Sequence, residues 1–266
     1  VQGRIGSMEV VTNNSPSEDV ENLLCHVLGV VAIDSAKVIA NVIEPEQVAE
    51  AILANDELRG QKRTFGVRTK RVGPKELYRS QEYSGEIGRC MCELDDSLSV
   101  DLTNPDFWVR LILEPDKVWQ LGDRIEAAGG LPPGVQGDVL CRVTDEESLL
   151  SAFLIMRRGS RVIPVEGSDE EMLEILRTWD PFIGRKTAIM DLHGKVKQRH
   201  PWGVVGITVE EGESLIQRRE SDVKTVPLST LEPLCGWTES EIQDLSKHIR
   251  GPSENLCMPN LDAWVS

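Results

Sequence analysis

Apolar and polar positions alternate along this chain in two rhythms, one of about 3.6 residues and one of two. Met8–Val11 reads as a strand, Glu18–Leu28 as a helix and Val30–Ile33 as a second strand. Leu23, Leu24, Val27 and Leu28 make one apolar helix face, and Asn14, Ser15, Pro16 and Ser17 supply the turn and cap before it. Pro45 suits the first turn of a helix reaching Leu58, where Val48, Ile52 and Leu53 recur at helical spacing. Thr64–Thr69 alternates as a strand, with Phe65 and Val67 opposed to Thr64, Gly66 and Arg68. Lys70–Arg79 is a basic connector with a Gly73-Pro74 turn. Ser80–Leu94 follows as a helix. Val100–Leu102 and Phe107–Leu113 are strands parted by the turn Thr103-Asn104-Pro105-Asp106. Helices and strands in this order, with antiparallel returns, predict an α+β module.

The segment Ala127–Gly137 is dense in Gly and Pro and reads as a boundary loop. Beyond it the pattern changes. Val139–Val143, Arg161–Val165 and Trp202–Val209 are apolar strands, and Ser148–Arg158 and Ser168–Thr178 are helices between the first two and after the second. That alternation predicts a parallel sheet covered by helices. The expected divisions are 1–42, a partial amino-terminal segment; 43–120, the α+β module; 121–137, a linker; and 138–266, an α/β domain. Opening on Val1 rather than Met, the sequence reads either as part of a longer protein or as one with a processed start.

Charge sharpens this picture. The 266 residues carry a net charge of −15, which taken globally disfavours a polyanionic partner. The distribution is uneven, however. Between Arg59 and Arg79 stand eight basic residues and one acid, Glu76, a net of +7 on an otherwise acidic chain. Such an island is either a solvated face or an anion-binding one. No run approaches the roughly 20 apolar residues of a membrane-spanning helix. The six cysteines include one C-x-C, Cys90 and Cys92, and no paired C-x-x-C, and the four histidines lack ligand spacing, so no metal site is expected. Free thiols in a reducing cytoplasm are the expectation, and Cys235, in an apolar turn, reads as a packing residue.

Several stretches carry a family likeness, in order: Thr64-Phe65-Gly66-Val67-Arg68-Thr69-Lys70-Arg71, Val100-Asp101-Leu102-Thr103-Asn104-Pro105-Asp106, Gly130-Leu131-Pro132-Pro133-Gly134 with Gly137, Gly212-Glu213-Ser214-Leu215 and Pro233-Leu234-Cys235-Gly236. Together they resemble the 4-thiouridine synthetase family of tRNA sulfurtransferases. The resemblance implies an α+β amino-terminal part, comprising a ferredoxin-like remnant and an RNA-binding THUMP domain. A Rossmann-like α/β PP-loop ATP-pyrophosphatase domain with a parallel sheet would follow. It also implies tRNA contact through Lys62, Arg63, Arg68, Lys70, Arg71, Lys75 and Arg79, with Tyr78 as a stacking ring, since recognition of this kind works by shape and phosphate contacts.

Two motifs of the family are altered here. Its phosphate loop, S-G-G-x-D-S, falls on Val143-Thr144-Asp145-Glu146-Glu147-Ser148. Thr144 and Ser148 can stand for the outer serines, but the glycines that let backbone N–H groups reach phosphate are gone. Asp145, Glu146 and Glu147 either repel a nucleotide's phosphates, with a magnesium ion as the only bridge, or simply suit a helix start. Cys257, in Asn255-Leu256-Cys257-Met258-Pro259, lies where the family has a sulfur-handling cysteine; here it reads either as that nucleophile or as a small apolar residue.

The expected function is therefore a tRNA-binding protein whose ATP loop is lost, non-catalytic or accessory in tRNA thiolation. The alternative is an active, divergent sulfurtransferase that makes 4-thiouridine through a cysteine persulfide. No cofactor is expected, with ATP and magnesium bound only if the altered loop still holds them. The partners are tRNA and a sulfur donor or thiolation enzyme, a homodimer is allowed, and no membrane is involved.

Overall fold

A computed structural model describes residues 2–4, 7–10, 17–74, 78–190, 193, 196–198, 200–219 and 227–251. In chain order the elements are β1 (Gln2–Arg4), β2 (Ser7–Glu9), α1 (Ser17–Cys25), β3 (Ala32–Ala40), α2 (Pro45–Ala54), β4 (Arg63–Arg71), α3 (Ser80–Leu94), β5 (Leu98–Val100), β6 (Phe107–Leu113) and β7 (Val118–Glu126). There follow β8 (Asp138–Cys141), α4 (Glu146–Arg157), β9 (Arg161–Pro164), α5 (Glu170–Arg177), β10 (Ala188–Met190), β11 (Val196–Gln198), β12 (Pro201–Val205), α6 (Val209–Arg219), β13 (Ser229–Thr230) and α7 (Glu239–Arg250). Two compact units result. One holds 34–124, the other 1–33 together with 125–266.

The 34–124 unit is a five-stranded sheet in the order β3-β7-β6-β4-β5, with α2 and α3 on one face. β4 runs parallel to β5 and β6, and β6 antiparallel to β7. Period-two alternation puts Phe65 and Val67 of β4, with Val109, Leu111 and Leu113 of β6, against Val48, Ile52 and Leu53 of α2 and Tyr83, Ile87 and Met91 of α3. Tyr83 is fully buried, its hydroxyl donating to the Ile43 carbonyl at 2.8 Å. Burial of each such large side chain is worth about 1.5–3 kcal/mol.

The other unit is a parallel sheet, β13-β12-β8-β9, as the strand–helix alternation implies. Both faces are covered. Val139 and Cys141 of β8, Val162 of β9 and Val205 of β12 meet Leu149, Phe153, Met156, Leu173, Leu176 and Leu245 of α4, α5 and α7. Leu140, Ile163 and Val204 face the other way, toward Leu215 and Ile216 of α6. Near-continuous apolar strands are the signature of a parallel sheet buried on both sides.

Several boundaries fall differently from those read in the sequence. The partial amino-terminal segment expected over 1–42 divides: Leu28 joins the core of the parallel-sheet unit, and β3 joins the sheet of the 34–124 unit. α1 ends at Cys25, short of the expected Leu28, and of its expected apolar face Leu28 is buried with Cys25 whereas Leu23 and Val27 are exposed. β7 occupies part of the expected linker. Its exposed positions Gly122, Asp123 and Arg124 dilute the apolar signal, but Val118 anchors it in the core. The strand expected over Trp202–Val209 stops at Val205, because Gly206 takes φ +69° and turns the chain into α6.

Candidate nucleic-acid interface and the 143–148 loop

The basic island is not one patch. β4 spans nine residues, roughly 26 Å end to end, and its residues alternate between two faces. Arg63 lies on the helix-bearing side near the strand's start. Its guanidinium pairs with Asp56 at 2.5 Å, lies 4.6 Å from the Phe107 ring centre, and is largely buried. That arginine is a structural ion pair. Arg71 also points to the helix side, its backbone N–H donating to Ser80 Oγ at 3.1 Å at the start of α3. Lys62 and Arg79 are exposed at opposite ends, Arg79 as the residue that begins α3. Lys75 lies outside the described residues. Tyr78 is half exposed, its ring 5.2 Å from that of Tyr83.

Arg68 and Lys70 take the opposite face. Register builds an ordered surface there, because Gly66 pairs with Trp108, Arg68 with Arg110 and Lys70 with Ile112, while Arg110 pairs with Leu121 and Ile112 with Trp119. The Trp108 ring lies across Gly66, where a Cβ would come within 2.4 Å of it, and the Arg68 guanidinium sits 3.8 Å from the ring centre. Lys117 lies 4.8 Å from the Trp119 ring on the same face. Each cation–indole contact is worth about 0.5–1 kcal/mol at an exposed site. Arg110 is held by Asp34 at 2.7 Å and by the Gly122 carbonyl. Among the described residues no carboxylate lies within ion-pairing distance of Lys62, Arg68, Lys70 or Arg79. Trp108, Arg110, Lys117 and Trp119 were not singled out from the sequence. The alternation Trp108-Val109-Arg110-Leu111-Ile112 carried the signal, but only the β4–β6 register brings it beside Arg68.

The 143–148 loop follows β8 at the carboxyl edge of the parallel sheet. Asp145 caps α4: its carboxylate accepts from the Ser148 N–H at 2.8 Å and from Ser148 Oγ at 2.8 Å, while Ser148 Oγ accepts from the Thr144 and Asp145 N–H groups at 3.0 and 3.1 Å. These backbone donors, which a phosphate would need, are already engaged. The Ser148 N–H and hydroxyl hold the Asp145 carboxyl below its ordinary range. Glu146 is held low by Arg250 of α7, at 2.5 and 2.7 Å. Arg142, the residue after β8, pairs with Glu211 of α6. Glu147 and Thr144 are exposed. An open cavity of about 770 Å³ lies at the other end of the strands, lined by Trp202, Trp237, Arg158 and Gln136 among others.

Cys257 lies outside the described residues. Cys235, expected in packing, is exposed, because the turn 233–236 runs along the surface before α7. Burial pushes the Cys141 thiol up, so it is an inert core residue. No group of His, Cys, Asp and Glu able to hold a metal occurs among the described residues, and no helix among them is long and apolar enough to cross a membrane.

Residues 44–119 match the THUMP domain family. The chain is 37% identical over 107 residues to a probable tRNA sulfurtransferase of Methanocaldococcus jannaschii, covering 40% of this chain and 28% of that one. It is 40% identical over 101 residues to the tRNA sulfurtransferase of Proteus mirabilis, covering 38% of this chain and 21% of that one. These matches thus span less than a third of each relative's own length. Among solved structures it is similar to PH1313 from Pyrococcus horikoshii, with a TM-score of 0.59 at 22% identity over 89% of this chain and 81% of the other. It is also similar to a 4-thiouridine synthetase described as an RNA complex with bound ATP, with a TM-score of 0.57 at 23% identity over 96% and 76%. The chain carries a THUMP domain at residues 44–119. Its α+β and parallel-sheet units share the fold of 4-thiouridine synthetase, and its sequence relatives are tRNA sulfurtransferases.

Proposed function

We propose that this chain binds tRNA through the THUMP unit and serves tRNA thiolation without activating the nucleotide itself. The observation that carries the reading is the face of β4 and β6. Arg68, over the Trp108 ring, and Lys70, opposite Ile112, stand exposed with no ion-pairing carboxylate among the described residues, within the stretch matched by the THUMP family. Cations there neutralise phosphates, and indoles offer flat surfaces to unstacked bases. Arg63, locked to Asp56, has no part in this contact. Lys62, Arg71 and Arg79 contribute long-range charge around it, and Lys75 is kept as a contact on sequence grounds.

The absence of ATP activation is supported by the Asp145–Ser148 capping box, which engages the backbone donors of the loop, and by the pairing of Arg250 with Glu146 and of Arg142 with Glu211. A carboxylate about 4 Å from a phosphate costs about 4 kcal/mol at an effective dielectric near 20. A separate thiolation enzyme or sulfur donor then completes the reaction, and Cys257 has no assigned role. Two titrations test the reading. Arg68→Glu with Lys70→Glu is expected to weaken binding of unfractionated tRNA at least about tenfold and to flatten its salt dependence, whereas Arg63→Gln leaves the salt slope unchanged. Unaltered tRNA affinity in the double variant would remove the assigned face. Micromolar binding of ATP with magnesium, abolished by changes at residues 144–148, would restore the alternative of an active sulfurtransferase.

A further inference from the structure

In the parallel-sheet unit, two buried carboxylates are devoted to one surface segment. Asp180, 3% exposed, accepts from Arg161 Nε at 3.0 Å and from the Phe182 N–H at 2.9 Å. Asp138, fully buried at the head of β8, accepts from the Thr187 N–H at 3.0 Å and from its hydroxyl. Between these ties, the Gly184 N–H donates to the Val162 carbonyl at 2.9 Å and the Arg185 N–H to the Phe182 carbonyl at 3.0 Å. Arg161 donates also to the Pro133 carbonyl at 3.2 Å. Buried carboxylates persist only when their oxygens are satisfied, so residues 180–187 are fixed in one shape.

This fixed segment presents Phe182 to solvent, 49% exposed, in place of burying it. Two guanidiniums flank the ring, Arg185 at 5.2 Å and Arg161 at 5.8 Å from its centre. Residues 181–187 contain two cations, Arg185 and Lys186, and no acid, on a chain whose net charge is −15. A rigid exposed ring between guanidiniums has the chemistry that takes a flat, electron-rich heterocycle attached to an anion.

We infer that Phe182, with Arg185 beside it and Arg161 as its fixed support, is a second RNA contact that stacks one unpaired nucleotide while Arg185 meets its phosphate. This rests on the reading of the chain as an RNA-binding protein and adds a contact on the unit that lacks the THUMP domain. The ordering cost of the contact is small, because the segment is held in place before RNA arrives.

The test compares Phe182→Ala, Phe182→Trp and Arg185→Glu with the Arg68→Glu, Lys70→Glu double variant, using unfractionated tRNA and a single-stranded oligoribonucleotide. Phe182→Ala is expected to lower affinity about tenfold, Phe182→Trp to retain it, and Arg185→Glu to lower it and reduce the salt slope by about one. All three alter exposed side chains, and an unchanged thermal midpoint confirms that they fold. If Phe182→Ala and Arg185→Glu bind RNA as the parent does while the double variant fails, this contact is overturned and the THUMP-face reading stands. If the parent binds neither RNA, both fall. If Phe182→Ala instead abolishes concentration-dependent self-association in sedimentation and leaves RNA affinity intact, the ring belongs to a protein contact and the RNA assignment is wrong.

Discussion

Gly66 owes its identity to its neighbour across the strands. The Trp108 ring lies where a Cβ would project, 2.4 Å away. Gly66→Ala is therefore expected to displace the indole and to destabilise the THUMP unit by about 1–3 kcal/mol, read as an earlier unfolding transition in urea. The same substitution should lower the tRNA affinity, because Arg68 loses its support. Asp145 sets a second residue-scale expectation. Replacing it with Ala removes a helix cap worth about 1 kcal/mol. Its carboxyl is held low in the fold, so its stabilising effect is complete above the ordinary carboxylate range and fades as pH falls through and below about 4. The parent should therefore lose more stability between pH 5 and 3 than Asp145→Ala does, by thermal melting across that range. The acids of this loop were plain in the sequence. What the sequence did not reveal is that Asp145 and Ser148 satisfy each other, since a capping box with Ser at its third helical position is a variation on the usual Ser/Thr-x-x-Glu pattern.

At the scale of elements, α7 is held by an aromatic stack. His248 stacks on Trp179 at 5.4 Å and meets Phe153 edge-on at 6.2 Å, and the His26 ring lies tilted 5.0 Å from Trp179. Trp179 also donates to the Ile249 carbonyl at 3.0 Å. Among the described residues neither nitrogen of the His248 ring finds a hydrogen-bonding partner, and burial, then Arg157 and His26, push its pKa down. The ring is neutral in the fold and takes a proton when released, so stability falls as pH drops through about 6.5. His248→Phe keeps the stack and removes the penalty. Its thermal midpoint is expected to exceed the parent's, and the difference should widen from pH 7 to pH 5. The helices themselves were legible where an apolar stripe was wide. α2, α3, α4 and α5 begin and end within a few residues of the pattern. β7 was not, because a strand with one solvent-facing side presents Gly122, Asp123 and Arg124 where only Val118 and Trp119 announce burial. The basic island failed in a different way. Sequence proximity grouped Arg63 with Arg68, but strand parity and the partner Asp56 separate them.

For the whole molecule, charge segregation governs what can approach. The carboxyl edge of the parallel sheet meets helices whose first turns carry Glu146, Glu147, Glu170, Glu171, Glu210 and Glu211, so polyanions are repelled there. tRNA affinity should accordingly fall steeply with salt through the few unpaired cations of β4, and adding ATP with magnesium should leave the thermal midpoint unchanged. A rise in that midpoint with ATP would contradict the proposed silence of the 143–148 loop. Fold class was legible from the change of hydrophobic rhythm at the Ala127–Gly137 loop. The division into units was not, since pairing of Ala127 with Val31 and of Gly129 with Gly29 and Val30 ties residues about 100 positions apart.

Those pairings place the exit of the THUMP segment beside its entrance. Residues 34–124 are thus a cassette threaded into a host, and the cut ends at Ile33 and Ile125 lie on neighbouring strands. Excising the cassette and joining the stumps with a few glycines should leave a shorter chain that still assembles the parallel sheet, which circular dichroism and a cooperative melt would register. Gene fusion or loss at that seam would trade the THUMP cassette without disturbing its host.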